Sequence, residues 1–156
     1  MYPSKIPLLP QDPIVRARVR QVSEIVTSGI QPLQSIGIIR ELTHFQTDST
    51  SGDGQAYAKL KCEDGLRALE TLLCSLRTPA LARTRSTDKP CSVFAVGTSH
   101  PTVADLCVVP QLYNARVRFG LTVDRSTHPH LYDVDEACAS LPAFKTAAPS
   151  NQPDAL

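Results

Sequence analysis

Cysteine, histidine and the usual nucleophile and phosphate motifs are where chemistry would first be sought in this 156-residue chain. Cys62, Cys74, Cys91, Cys107 and Cys138 form an odd set with no C-x-x-C pair, and three of them fall within helical apolar patterns. That usage fits buried, reduced thiols better than disulfides or a zinc site. His128 and His130 flank Pro129, but no H-E-x-x-H sets two imidazoles on one helical face, so no metal site is expected. There is no G-x-S-x-G elbow, P-loop or G-x-G-x-x-G either, and Gly52-Asp53-Gly54 reads as a turn. No residue therefore earns a catalytic assignment from a motif of its own.

The strongest positional signal is His100 to Phe119. Thr102 and Asp105 have the spacing of a capping box, in which each side chain satisfies the other's backbone N–H at a helix start. Their expected role is structural. Leu106, Val109, Tyr113 and Val117 follow at spacings of three and four, which predicts an apolar stripe turned to a core. Pro110 predicts a bend, and Phe119-Gly120 a helix end with glycine in a left-handed cap.

The remaining elements follow the same logic. Residues 1–11 carry Pro3, Pro7 and Pro10 and read as an extended arm or linker. Asp12 and Pro13 then mark an N-cap and first helical position. Val15, Val19, Val22, Val26, Ile30 and Leu33, continued by Ile36, Ile39 and Leu42, predict one long helix to about Phe45, kinked at Pro32. Gln46 to Gly54 is a polar connection. Gln55 to Arg77 is a second helix with Leu66, Leu69, Leu73 and Leu76 inward and Leu60 leading them, packed antiparallel to the first. Thr78 to Ser92 reads as a surface loop, and Cys91 to Val96 as an extended lead into Thr102. Leu131, Val134, Cys138 and Leu141 mark a short helix after Pro129, and Pro142 opens a last turn in which Phe144 and Ala147 point inward. The sum is an all-α bundle of about five helices, with a domain over 12–150 and a tail over 151–156.

Composition narrows the partners. With 42% apolar residues the chain affords a core, and of its 13 prolines only Pro32 lies between Pro13 and Pro79, which frees the middle to be helical. A net charge of +1 offers no field for nucleic acid or an anionic membrane, and the Arg16, Arg18, Arg20 cluster reads as a solvated helix face. No apolar run approaches the ~18 to 20 residues of a membrane span, and Ile6-Pro7-Leu8-Leu9-Pro10 is too short and broken for a signal peptide. A cytoplasmic protein is expected.

T-V-A-D-L-C-V-V-P-Q-L-Y-N-A from Thr102, followed by Arg118-Phe119, resembles the buried sixth helix of glutathione transferases. Its V-P-Q-x-x-N-A form is similar to the zeta class, the maleylacetoacetate isomerases. Leu8 to Arg20, I-Q-P-L-Q from Ile30 to Gln34, G-L-R-A-L-E from Gly65 to Glu70, and the closing Leu141 to Asp154 resemble other stretches of the same family's helical domain. The resemblance implies a glutathione transferase C-terminal-like bundle, with glutathione as cofactor and a small-molecule substrate. It also implies glutathione-dependent cis–trans isomerisation of maleylacetoacetate to fumarylacetoacetate, in phenylalanine and tyrosine breakdown. Gln31 matches the family's glutathione-contacting glutamine, and Ser35, Ile36 and Gly37 stand where the family has N-L-S or similar. The family's N-A-x-R-F supplies an arginine for the substrate carboxylate; Asn114-Ala115-Arg116-Val117-Arg118-Phe119 is longer, so Arg118 or Arg116 takes that place. Two departures stand beside these matches: Val96-Gly97-Thr98 replaces V-G-D, and the 78–92 segment is long.

Family members begin with a thioredoxin-like domain whose S-S-C-type motif activates the thiol, and Met1-Tyr2 falls where the linker after that domain would lie. The chain is therefore expected to be inactive alone, with a thioredoxin-like partner domain or a homodimer as its partner. Two alternatives stay open: a non-catalytic interaction module that kept the fold, and a truncated gene product.

Overall fold

The computed structural model describes residues 7–44, 53–84, 94–153 and 155, with the backbone alone for 78–84. Among these residues the regular structure is entirely helical. Helix α1 spans Pro13–Glu24. Asp12 caps it as its sequence implies: one carboxylate oxygen accepts from the N–H groups of Ile14 at 2.9 Å and Val15 at 2.8 Å.

The single kinked helix expected through Phe45 is replaced by a series of changes in pitch. After α1 the chain widens into a π-helical stretch, Ile25–Ile30, closed by the Gln31 N–H on Val26 O. It then tightens into a 3-10 turn, Gln31–Gln34, and becomes extended at Ser35 (φ −65°, ψ 147°) before α2, Ile36–His44. Pro32 is the physical cause. It has no N–H to continue the ladder, and in α-helical geometry its ring would strike the carbonyl of Ser28, so a wide turn followed by a tight one accommodates it. Phe45 lies outside the described residues.

Helix α3 spans Gly54–Thr84 and starts on Asp53, whose carboxylate accepts from Gln55 N–H at 2.9 Å. It runs past Arg77 and through Pro79, so the first part of the loop expected at 78–92 is helix; Ala80, Leu81, Ala82 and Arg83 are strong helix formers. Residues 85–93 lie outside the described set. Helix α4, Val103–Phe119, continues through Pro110 and ends on Gly120 at φ 61°. Helices α5, Pro129–Ala139, and α6, Pro142–Ala147, and a 3-10 turn, Pro149–Asn151, complete the order.

Helix α4 packs against α1, the π stretch, α3 and α5. Val19, Val22, Val26 and Ile30 bury against Ala58, Cys62, Leu66, Leu69 and Leu73 of α3, with Leu131, Val134 and Cys138 of α5 closing the core. The inward stripe of α4 is Ala104, Val108, Leu112, Ala115 and Phe119. The stripe expected from spacing is corrected: Leu106, Tyr113 and Val117 are 42%, 46% and 67% exposed, and Val109 is only half-buried. Both stripes have helical periodicity, but the buried one sets Ala104 and Ala115, which permit close approach, among Val108, Leu112 and Phe119, which fill the core. Leu60 is likewise 49% exposed, and Ala147 is exposed while Phe144 packs on the core. Close approach also explains Gly65, where a Cβ would lie 2.3 Å from Ile30 Cγ1 and 2.5 Å from its Cδ1.

Candidate functional site

The residues of the 31–37 segment divide into two sets. Gln31, Ser35, Ile36 and Gly37 are all exposed and lie on one continuous edge running into α2. Ser35 caps that helix: its carbonyl accepts from Ile39 N–H at 3.1 Å and its hydroxyl from Ile38 N–H at 3.4 Å. The N–H groups of the first turn, at Ile36 and Gly37, have no intrahelical acceptor, and such a terminus attracts anionic groups. A Cβ placed on Gly37 would meet nothing within 4 Å, so the edge is open.

Gln34 belongs to the other set. It is buried, and its Nε2 donates to Gln111 Oε1 at 2.8 Å while Gln111 Nε2 donates back to Gln34 Oε1 at 3.3 Å and to Cys62 Sγ at 3.4 Å. The reciprocal pair joins the 3-10 turn to α4, and the sulfur contact adds α3. Burial pushes the Cys62 thiol up from its ordinary range, which keeps the sulfur a neutral acceptor; Gln111 pulls the other way. Removing one amide would strand the other, a cost of about 1–3 kcal/mol.

The two arginines of α4 differ. Arg116 is half-buried, with Nη1 on Asp135 Oδ2 of α5 at 2.5 Å and Nη2 on Val123 O at 3.2 Å, so it ties the end of α4 to α5 and the following loop. Arg118 is exposed, its guanidinium carbon 5.2 Å from the centre of the Phe119 ring. It stands seven residues beyond Gln111, which places it about 10 Å farther along the axis and on nearly the same side of the helix.

Thr102 and Asp105 form the capping box, both fully buried. Asp105 Oδ2 accepts from the Thr102 N–H at 2.7 Å and hydroxyl at 2.9 Å, and Oδ1 accepts from Ala95 N–H at 2.8 Å. The box therefore does more than start a helix: it folds the 94–102 segment back onto it. The arm docks there too, through Val103 N–H on Leu8 O at 3.1 Å.

On the other side of α3, Glu70 caps α5 across the chain. Its carboxylate oxygens accept from His130 and Leu131 N–H, both at 2.9 Å. Buried Arg77 donates to His130 O at 2.8 Å and reaches Asp133 at 3.6 Å. A cleft of about 430 Å³ opens beside them, lined by residues that include Glu63, Arg67, Thr122 and His128. Among the described residues no group of His, Cys, Asp and Glu is arranged to hold a metal. Cys62 and Cys138 are buried thiols, and burial, followed by Asp105 and Asp135, pushes Cys138 up to about 12.

Gln31, Ser35, Ile36 and Gly37 are thus all exposed along the 31–37 segment, and the two arginines differ in environment. Sequence reasoning passed over Gln34, Gln111, Glu70 and Arg77. For Gln34 a signal existed, since it follows Ile30 by four and so is a polar residue in an apolar phase; for Gln111 none did, because the buried phase of α4 is not the one its spacing predicts. Glu70 and Arg77 are exposed-type residues recruited by a distant helix, and nothing local marks them.

No protein-family profile matches the chain. A probable maleylacetoacetate isomerase of Caenorhabditis elegans is 38% identical over 149 residues, which cover 96% of this chain and 59% of that protein. The crystal structure of maleylacetoacetate isomerase from Anaeromyxobacter dehalogenans, with GSH bound in its active site, superposes with a TM-score of 0.75. It is 41% identical, over 99% of this chain and 61% of that one. Maleylpyruvate isomerase from Pseudomonas aeruginosa superposes with a TM-score of 0.73 at 32% identity, over 96% of this chain and 69% of that one. The chain spans somewhat over half the length of the curated relatives it matches.

Proposed function

The chain belongs to the maleylacetoacetate isomerase family of zeta-class glutathione transferases, and from that premise we propose that its helices form one wall of a glutathione-dependent cis–trans isomerase site. The observation that carries this is the open edge of Gln31, Ser35, Ile36 and Gly37, backed by a buried amide pair. A primary amide both donates and accepts, which suits Gln31 to the peptide groups of glutathione. The unpaired first-turn N–H groups of α2 suit one of its carboxylates.

The chemistry glutathione supplies when bound is reversible thiolate addition to the cis double bond of maleylacetoacetate, with rotation and elimination giving fumarylacetoacetate. Arg118 is the residue for the substrate carboxylate, because its planar fork matches a carboxylate and Arg116 is held by Asp135. Lowering the thiol pKa needs a donor or a positive field. That task is assigned to the family's thioredoxin-like unit, so the helical unit by itself is a poor catalyst. Its setting is aromatic amino acid breakdown in the cytoplasm.

Calorimetric titration with glutathione and an isomerisation assay test this. The 156-residue chain is expected to bind glutathione weakly and Gln31→Ala to weaken binding about tenfold, as loss of contacts to a charged ligand does. No turnover is expected from the chain by itself. Unchanged affinity in Gln31→Ala, or turnover matching a two-domain relative, would overturn the proposal.

One observation favours a second function, a helical interaction module: the outward face of α4 exposes Leu106, Tyr113 and Val117. Its partner would be a thioredoxin-like domain or a second copy of the chain.

A further inference from the structure

We propose that Gln34 and Gln111 are positioning residues that set where the glutathione edge stands relative to the carboxylate-binding arginine. The inference rests on the function proposed above for residues 31–37.

The 31–34 turn is poorly fixed by its own backbone. It lies between a π-helical stretch and an extended residue, and its exit is held by a Ser35 N–H to Pro32 O bond of 3.3 Å. The turn also packs on α2 and α3, but what ties it to α4 is the pair of amides, 5% and 2% exposed, facing each other at 2.8 and 3.3 Å. Two antiparallel N–H···O bonds define distance and rotation together, which an apolar contact of the same size does not. The 3.4 Å bond to Cys62 orients Gln111 in turn.

The position of Gln111 gives the pair its functional meaning. Helix α4 carries both the anchor of the glutathione edge and, seven residues on, Arg118. A single rigid helix therefore sets the spacing between the place of the thiol carrier and the place of the substrate carboxylate. In near-attack geometry a small misplacement of either partner is costly, so the pair acts through Gln31, Ser35 and the α2 terminus without touching ligand itself.

Methionine matches glutamine in length and shape and removes its hydrogen bonds, so Gln111→Met, Gln34→Met and the double variant are the test. Amide exchange is read at Ile38 and Ile39, whose N–H groups donate to Ser35, with Ile14 and Val15 at the Asp12 cap as internal controls. Either single variant is expected to speed exchange at Ile38 and Ile39 at least tenfold with the controls unchanged, and to weaken glutathione binding at least fivefold. The double variant leaves no lone buried amide, so it regains the thermal midpoint but keeps fast exchange and weak binding. Unchanged exchange in both single variants, or a double variant that recovers slow exchange and full affinity, would show the amides merely fill space and overturn the inference. Gln34→Met probes the same pair where Gln111→Met fails to fold. A wild-type chain that binds no glutathione would remove the function proposed for the edge, and the exchange result would still decide whether the pair positions it.

Discussion

Asp124 shows how much a single side chain organises here. One of its carboxylate oxygens accepts from the Ser126 hydroxyl at 2.7 Å and N–H at 2.9 Å, and from the Thr127 N–H at 2.9 Å and hydroxyl at 3.0 Å. The Ser126 hydroxyl, then the Thr127 amide and hydroxyl, lower its pKa from 3.8 to about 2. A carboxylate held below its unfolded value supports the fold fully above that unfolded value, and the support is lost as pH falls through the folded one. The 121–128 loop, on which Arg116 also leans through Val123, is therefore predicted to stay ordered at pH 4 and to loosen towards pH 2. The Asp124 carboxyl resonance followed by NMR checks this; a midpoint at or above 3.8 would contradict it. Residue chemistry of this kind was partly legible in sequence. The thiols are expected to be buried and reduced; Cys62 and Cys138 are buried, whereas Cys107 is half-buried and Cys74 exposed. The Gln34–Gln111 pair is not foreseen, because a polar residue in an apolar phase shows its partner only in three dimensions.

Among the elements, the contact between α3 and the π stretch depends on the absence of a side chain at Gly65. A methyl there would sit 2.3 Å from Cγ1 of Ile30, a fully buried side chain that would have to shift. Overpacking of this kind typically costs about 1–3 kcal/mol, so Gly65→Ala is predicted to lower the thermal midpoint by several degrees. Combining it with Ile30→Ala should cost less than the two single changes together, because the cavity receives the methyl; strict additivity would contradict the contact. The caps at Asp12, Thr102 and Gly120 could be read from local sequence, since a cap is a local hydrogen-bond problem. The inward face of α4 could not. Its sequence holds two apolar stripes of equal periodicity, and the choice of Ala104, Val108, Leu112 and Ala115 over Leu106, Tyr113 and Val117 was made by the four elements that crowd the helix. The length of the first helix failed for a related reason: periodicity continues through Pro32, whereas the backbone cannot.

At the scale of the whole molecule, the all-α bundle was expected and is observed among the described residues, and no described helix is long and apolar enough to cross a membrane. The exposed α4 face predicts an association that sedimentation at several concentrations would reveal, abolished by Tyr113→Glu with Val117→Glu. A sedimentation coefficient that does not change with concentration would contradict self-association. The central claim, however, concerns residues 31–37 and Arg118 as one wall of a glutathione site. Its most direct measurement is the map of backbone amide shifts as glutathione is added to the isotopically labelled chain. The largest changes are predicted at Gln31, Ser35, Ile36 and Gly37. Changes confined to the cleft between Glu63 and His128, or none at any concentration, would contradict it.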